Sequence, residues 1–144
     1  SIDFLNSGLI SHPNDPQIIN NLAYSYSLNN EPNKALSLLN KVNITDLDYA
    51  TEVCLIATRG LAQYKIGNTE EGRKLYLEAI QSTKDNNERE LNWIAILNFA
   101  REELLVNPHE KENLSTLIDK IPDDSKNVEI TTLKNDVKQI IEGI

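Results

Sequence analysis

Methionine is absent from these 144 residues, cysteine and tryptophan occur once each, histidine twice, and glycine and proline five times each. A lone cysteine, Cys54, leaves no intrachain disulfide and no cysteine metal cluster. That fits a reducing compartment, and a cytoplasmic location is expected. His109-Glu110 opens like a zinc-protease helix, but Lys111-Glu112-Asn113 follows and the second histidine is missing. One histidine cannot hold zinc, so no metal is expected. The glycines are scattered at positions 8, 60, 67, 72 and 143, so no phosphate-cradling loop exists and no cofactor is expected. Basic residues are also few: the net charge is −8, and residues 1–50 contain two basic and five acidic side chains. With no basic block to neutralise phosphates, nucleic acid and anionic membrane surfaces are poor partners. No apolar run approaches the ~18 residues of a membrane span. Residues 1–15 contain no basic residue and no cleavage pattern, so no signal peptide is expected there.

The remaining chemistry is equally thin. Cys54 has no base nominated beside it in sequence, and a nucleophile needs one. The carboxylate pairs Glu70-Glu71, Glu102-Glu103 and Asp123-Asp124 are adjacent residues. On a helix, neighbours in sequence point apart and do not converge on a substrate. A catalytic role is therefore not expected. Asparagine is abundant at 18 residues and marks turns and caps. The sequons at Asn43 and Asn113 are expected by chance in such a chain.

What is present is helical spacing throughout, with apolar residues recurring at three and four and no alternating run. Breakers divide the chain into eight segments: about 2–11, 16–28, 32–42, 47–66, 69–83, 88–106, 110–121 and 126–142. Asp15-Pro16 is a strong start signal, Pro32 takes a first-turn position, and Thr45 or Asp46 is the expected cap of the fourth segment. Connections are short, so successive helices should pack antiparallel.

Two of these segment pairs share an internal plan. The first reads Ile19-x2-Leu22-Ala23-x2-Tyr26, then Ala35-x3-Leu39. The second reads Ile56, Gly60, Tyr64, Gly67, Gly72, Tyr76, Ala79. Ala23 to Ala35 and Gly60 to Gly72 are both twelve residues, and the two units are 37 apart. This pattern resembles the tetratricopeptide repeat, a helical hairpin with small residues where helices cross and large ones around them. Gly8 and Pro13, with Leu5, resemble the end of a preceding repeat, so the chain reads as a piece of a longer repeat protein. Arg59 and Gln63 depart from the usual Leu and Tyr, and the pattern degrades beyond residue 87, where Trp93, Ala100 and Pro108 hint at a third unit.

The resemblance implies an all-α superhelix in one domain, residues 1–144. Its parts would be a trailing half repeat (1–13), hairpins 16–42 and 47–83, a divergent hairpin 88–121 and a terminal capping helix 126–142 beside 110–121. It implies a concave groove lined by Asn20, Tyr24, Ser27 and Leu28 from the first hairpin and by Ala57, Leu61, Tyr64 and Lys65 from the second. Arg101 would come from the third. Tyr24 and Tyr64 should then be exposed, and Tyr26 and Tyr76 buried in packing positions. The function it implies is binding of a protein or peptide, as an interaction module or scaffold. Alternatives are a peptide-sensing domain of a bacterial regulator, or an accessory domain that positions a catalytic domain elsewhere in the parent chain. Phe4, Leu5, Leu9 and Ile10 would leave one flank of the first helix uncovered, which invites self-association.

Overall fold

The computed structural model describes residues 2–12, 14–42 and 46–144. Its regular structure is all helical, with no strand among the described residues. The helices are α1 (Ile2–Ser11), α2 (Pro16–Leu28), α3 (Pro32–Leu39), α4 (Tyr49–Lys65), α5 (Thr69–Asp85), α6 (Arg89–Val106), α7 (Lys111–Ile118) and α8 (Val128–Glu142), with a 3-10 turn at Pro108–Glu110 before α7. No helix is long and apolar enough to cross a membrane, among the described residues. The chain forms two compact units, one ending at Ala79 and the other running from Ile80 to Ile144, so the division falls within α5.

Local chemistry explains where these helices begin and end. Asp15 caps α2: its Oδ1 accepts from the Gln17 and Ile18 amides at 2.9 and 3.4 Å, and Pro16 occupies the first turn, where no amide is needed. The cap of α4 is Asp48, not Thr45 or Asp46. The Thr51 amide donates to Asp48 Oδ1 at 2.8 Å and the Thr51 hydroxyl to Oδ2 at 3.0 Å. These bonds, the backbone one first, hold the Asp48 carboxyl below its ordinary pKa. Asp46 instead has a left-handed backbone, φ 69°. Thr45, the Asn43 sequon and Pro13 lie outside the described residues.

The turn after α2 and the turn after α4 are the same device. Asn30 (φ 64°) and Gly67 (φ 89°) take the left-handed conformation. The next amides then reach back five residues, Glu31 to Tyr26 and Asn68 to Gln63, both at 2.8 Å. Asn87 (φ 57°) repeats the device after α5, with Glu88 donating to the Thr83 carbonyl at 2.9 Å.

In the first unit α2 packs on α1, α3 and α4, and α3 packs on α4. The core holds Ala23, Ala35, Leu39, Leu55 and Ala62, with Tyr26, Leu36, Val42 and Leu47 packed against it. The alanines Ala23, Ala35 and Ala62 let backbones approach, and the larger residues fill the gaps alongside. The same arrangement recurs with glycine between α4 and α5. A Cβ on Gly60 would lie 3.2 Å from the Gly72 carbonyl, and one on Gly72 would lie 2.9 Å from the Gly60 carbonyl. The two departures from the repeat pattern also have physical roles. The Arg59 guanidinium donates to the Leu39 carbonyl at 3.3 Å and to Asn40 Oδ1 at 3.2 Å, so its charge covers the C-terminus of α3. Gln63 Oε1 accepts from Asn68 Nδ2 at 3.1 Å and braces the turn that follows.

In the second unit α6 packs against α7 and, more extensively, against α8. α8 therefore packs chiefly on α6 and also touches α7. Its buried stripe is Ile130, Leu133 and Val137, with Ile140 and Ile141 half-buried. Lys134 is also buried. Its ammonium donates to the Ile121 carbonyl and pairs with Asp123 at 2.9 Å, while Lys138 reaches the same carboxylate at 2.7 Å. These contacts tie the α7–α8 connection to α8.

The hydrogen bond from Lys138, followed by that from Lys134, pulls the Asp123 pKa from 3.8 to about 2. Asp123 is thus a stronger acid folded than unfolded. Its contribution to stability is complete above 3.8 and is lost as pH falls through about 2. Asp123→Asn should flatten the fall in stability across that window. Urea unfolding at a series of acidic pH values checks this, and an unchanged slope would show that the pair is not formed.

Candidate functional site

α2 and α4 lie side by side and present one shared face. The Asp15 cap sets the register of α2, so that Gln17, Asn20, Asn21, Tyr24 and Leu28 follow at helical spacing on one side. The Asp48 cap does the same for α4, placing Ala50, Cys54, Ala57 and Lys65 along the facing side. A hollow of about 180 Å³ opens between the two helices, lined by Gln17, Asn20, Asn21, Ala50, Thr51 and Cys54. Three of these six side chains are primary amides.

One of these lining residues carries an atom out of balance. Asn20 Oδ1 is buried and has no hydrogen-bond partner among the described residues. A buried acceptor left unpaired costs about 1–3 kcal/mol relative to a paired one. Cys54 is half-buried on the α4 wall. Among the described residues no three His, Cys, Asp or Glu side chains are grouped to hold a metal ion. His12 and His109 are both exposed.

Of the residues expected in a groove, Asn20, Tyr24, Ala57 and Lys65 are half-buried, and Leu28 is exposed beside Ile2 and Asp3 of α1. Ser27, Leu61 and Tyr64 are not available to a partner. Ser27 is fully buried, and its hydroxyl donates to the Ala23 carbonyl at 2.9 Å. Leu61 is also fully buried. Tyr64, expected to be exposed, is 5% exposed. Its ring packs 5.9 Å from the Tyr76 ring and lies against Gly72. The reason is the missing side chain at Gly72: an aromatic ring fills the space a Cβ would need. Ser27 stands 37 residues before Tyr64 and turns inward in the same way. Tyr76 is buried as expected, whereas Tyr26 is only half-buried, its hydroxyl accepting from Asn6 Nδ2 at 3.3 Å. Arg101 belongs to the second unit, where it donates to Glu102 at 2.9 Å and to Asn98 Oδ1 at 2.8 Å.

Gln17, Asn21, Ala50, Thr51 and Cys54 were not among the expected groove residues. Their signal is in the sequence all the same: Gln17 precedes Asn20 by three, Cys54 precedes Ala57 by three, and Gln17 and Cys54 are themselves 37 residues apart. The chain matches no protein-family model, no curated protein and no solved structure.

Proposed function

We propose that this chain is a non-catalytic protein-interaction module built of tetratricopeptide-like hairpins, and that its α2–α4 face takes an extended peptide. The repeat reading is supported by counterparts 37 residues apart that share structure as well as spacing. Ala23 and Gly60, and Ala35 and Gly72, are buried crossing points. Leu39 and Tyr76 are the large buried partners, and Asn30 and Gly67 are the left-handed turn residues.

The observation that carries the binding reading is Asn20, which lines a hollow rich in amides and whose buried Oδ1 is unpaired among the described residues. An extended peptide offers backbone N–H groups at regular intervals and suits amide side chains as partners. Tyr24, one turn further along α2, supplies apolar area for side chains. A displayed peptide library panned against the chain should enrich binders, and Asn20→Leu should weaken them roughly 3- to 10-fold, the scale of one lost hydrogen bond. Enriched peptides that bind the leucine variant equally well would remove the proposed anchor.

The module also self-associates in this reading. Phe4 and Ile10 on α1 are 77% and 84% exposed, two large apolar side chains in water. Sedimentation velocity should show concentration-dependent dimers that Phe4→Ser with Ile10→Ser abolishes. A chain that stays monomeric at high concentration contradicts this.

A further inference from the structure

A second cleft, of about 370 Å³, is bounded by α1, α2 and α3 and lined by Asn6, Leu22, Tyr26, Asn33, Lys34, Ser37, Leu38 and Lys41. Its lining is unusual for so acidic a chain. Lys34 and Lys41 are the only basic residues among the first fifty, both line this cleft, and no carboxylate does. The remaining polar groups there are donors or can act as donors. Tyr26 accepts from Asn6 Nδ2, which leaves the phenolic proton for a further acceptor. Asn33 and Ser37 are exposed on the α3 wall. The Lys34 ammonium sits 5.5 Å from the centre of the Tyr26 ring, which holds the charge over the cleft.

We propose that this cleft is a second binding site, which takes two carboxylates of an acidic peptide segment, one at Lys34 and one at Lys41. Charge complementarity selects the occupant. Lys34 already holds one carboxylate, Glu31, at 2.8 Å, in a pair whose lysine side chain is 62% exposed. A pair so exposed is weak and can give way to an incoming carboxylate. Lys41 is exposed, with no ion-pair partner among the described residues. Lys34 lies on α3 and Lys41 in the turn just after its C-terminus, and both line the one cleft. One turn of a polyproline II peptide spans about 9 Å and returns its side chain to the same side. Two glutamates three residues apart on such a peptide place both carboxylates on one side of it, toward the two lysines. This site lies on the opposite flank of α2 from the amide hollow and does not depend on it.

The test uses a fluorescein-labelled, capped Glu-Pro-Pro-Glu peptide and the full chain, read by fluorescence polarisation. Saturable binding is expected, weakened roughly tenfold or more when both glutamates become glutamine, or when Lys34→Gln is combined with Lys41→Gln. Both lysines are exposed, so the double variant should fold, and circular dichroism verifies that. Asn20→Leu should leave this binding unchanged, which separates its failure from failure of the α2–α4 reading. The proposal is overturned if no saturable binding is seen, if the glutamine peptide binds as well, or if the lysine variant binds normally. It is equally overturned if inorganic phosphate displaces the peptide as effectively as free Glu-Pro-Pro-Glu, since the cleft would then be a simple anion site.

Discussion

Gly72→Ala is expected to destabilise the first unit by about 1–3 kcal/mol, the usual cost of forcing extra volume into a packed contact. Helix propensity argues the other way, because alanine inside a helix is better than glycine by about 1 kcal/mol. The contact distances decide the sign. A Cβ at Gly72 would lie 2.7 Å from Tyr64 Cδ2 and 2.9 Å from the Gly60 carbonyl oxygen. Neither neighbour is the free end of a flexible side chain, so α4 and α5 must move apart. Gly60→Ala should cost less, since its nearest contacts are 3.1 Å to the Tyr76 ring and 3.2 Å to the Gly72 carbonyl. Gly143→Ala is the control, with nothing closer than 3.5 Å. Adding Tyr64→Leu to Gly72→Ala should recover part of the loss, a non-additivity that marks direct contact. Chemical denaturation of these four variants and of Tyr64→Leu alone measures all of this. A Gly72→Ala protein more stable than its parent would show that propensity wins and that the helices are not in close contact.

The second large effect is expected from ending the chain after Ser125. This removes α8, with Ile130 and Val137 fully buried and Leu133 6% exposed. At roughly 1.5–3 kcal/mol per buried side chain, these three contribute about 5–9 kcal/mol gross. That is comparable with the whole net stability of an ordinary domain, about 5–15 kcal/mol. The buried face of α6, including Leu97, Ala100 and Leu104, would be left without its main cover. The shortened chain should lose its cooperative second-unit transition or aggregate. If it stays soluble with an unchanged melting curve, α8 is not a cap, and its apolar stripe is free to serve a partner.

The helices themselves were legible in the sequence because their punctuation is local. Asp15-Pro16, Asn29-Asn30 and Gly67-Asn68 act on the nearest few peptide groups, and each ends or begins a helix close to where the pattern places it. The crossing points were legible too, since Ala23, Ala35, Gly60 and Gly72 recur at matched intervals. The cap of α4 was misread because Thr45, Asp46 and Asp48 are all competent caps. Only backbone geometry tells which side chain meets the amides of the first turn.

The groove was legible only in part. Offsets from a repeat pattern give the direction of a side chain, not what fills the space it enters. Tyr64 turned inward because Gly72 left a gap, and Ser27 followed because its hydroxyl found the Ala23 carbonyl. α6 defeated the pattern for a different reason. Ala95 to Ala100 are buried in succession, which a helix covered on one side cannot achieve, so its apolar residues show no stripe.

The α2–α4 face is tested most directly by nuclear magnetic resonance on the isotopically labelled chain, titrated with a library-selected peptide. The account predicts the largest shifts at the Asn20 side-chain amide and at Gln17, Asn21, Thr51 and Cys54, with the Asn20→Leu protein showing weaker, faster-exchanging binding. Shifts confined to α6, α7 and α8, with the Asn20 amide unmoved, would contradict it.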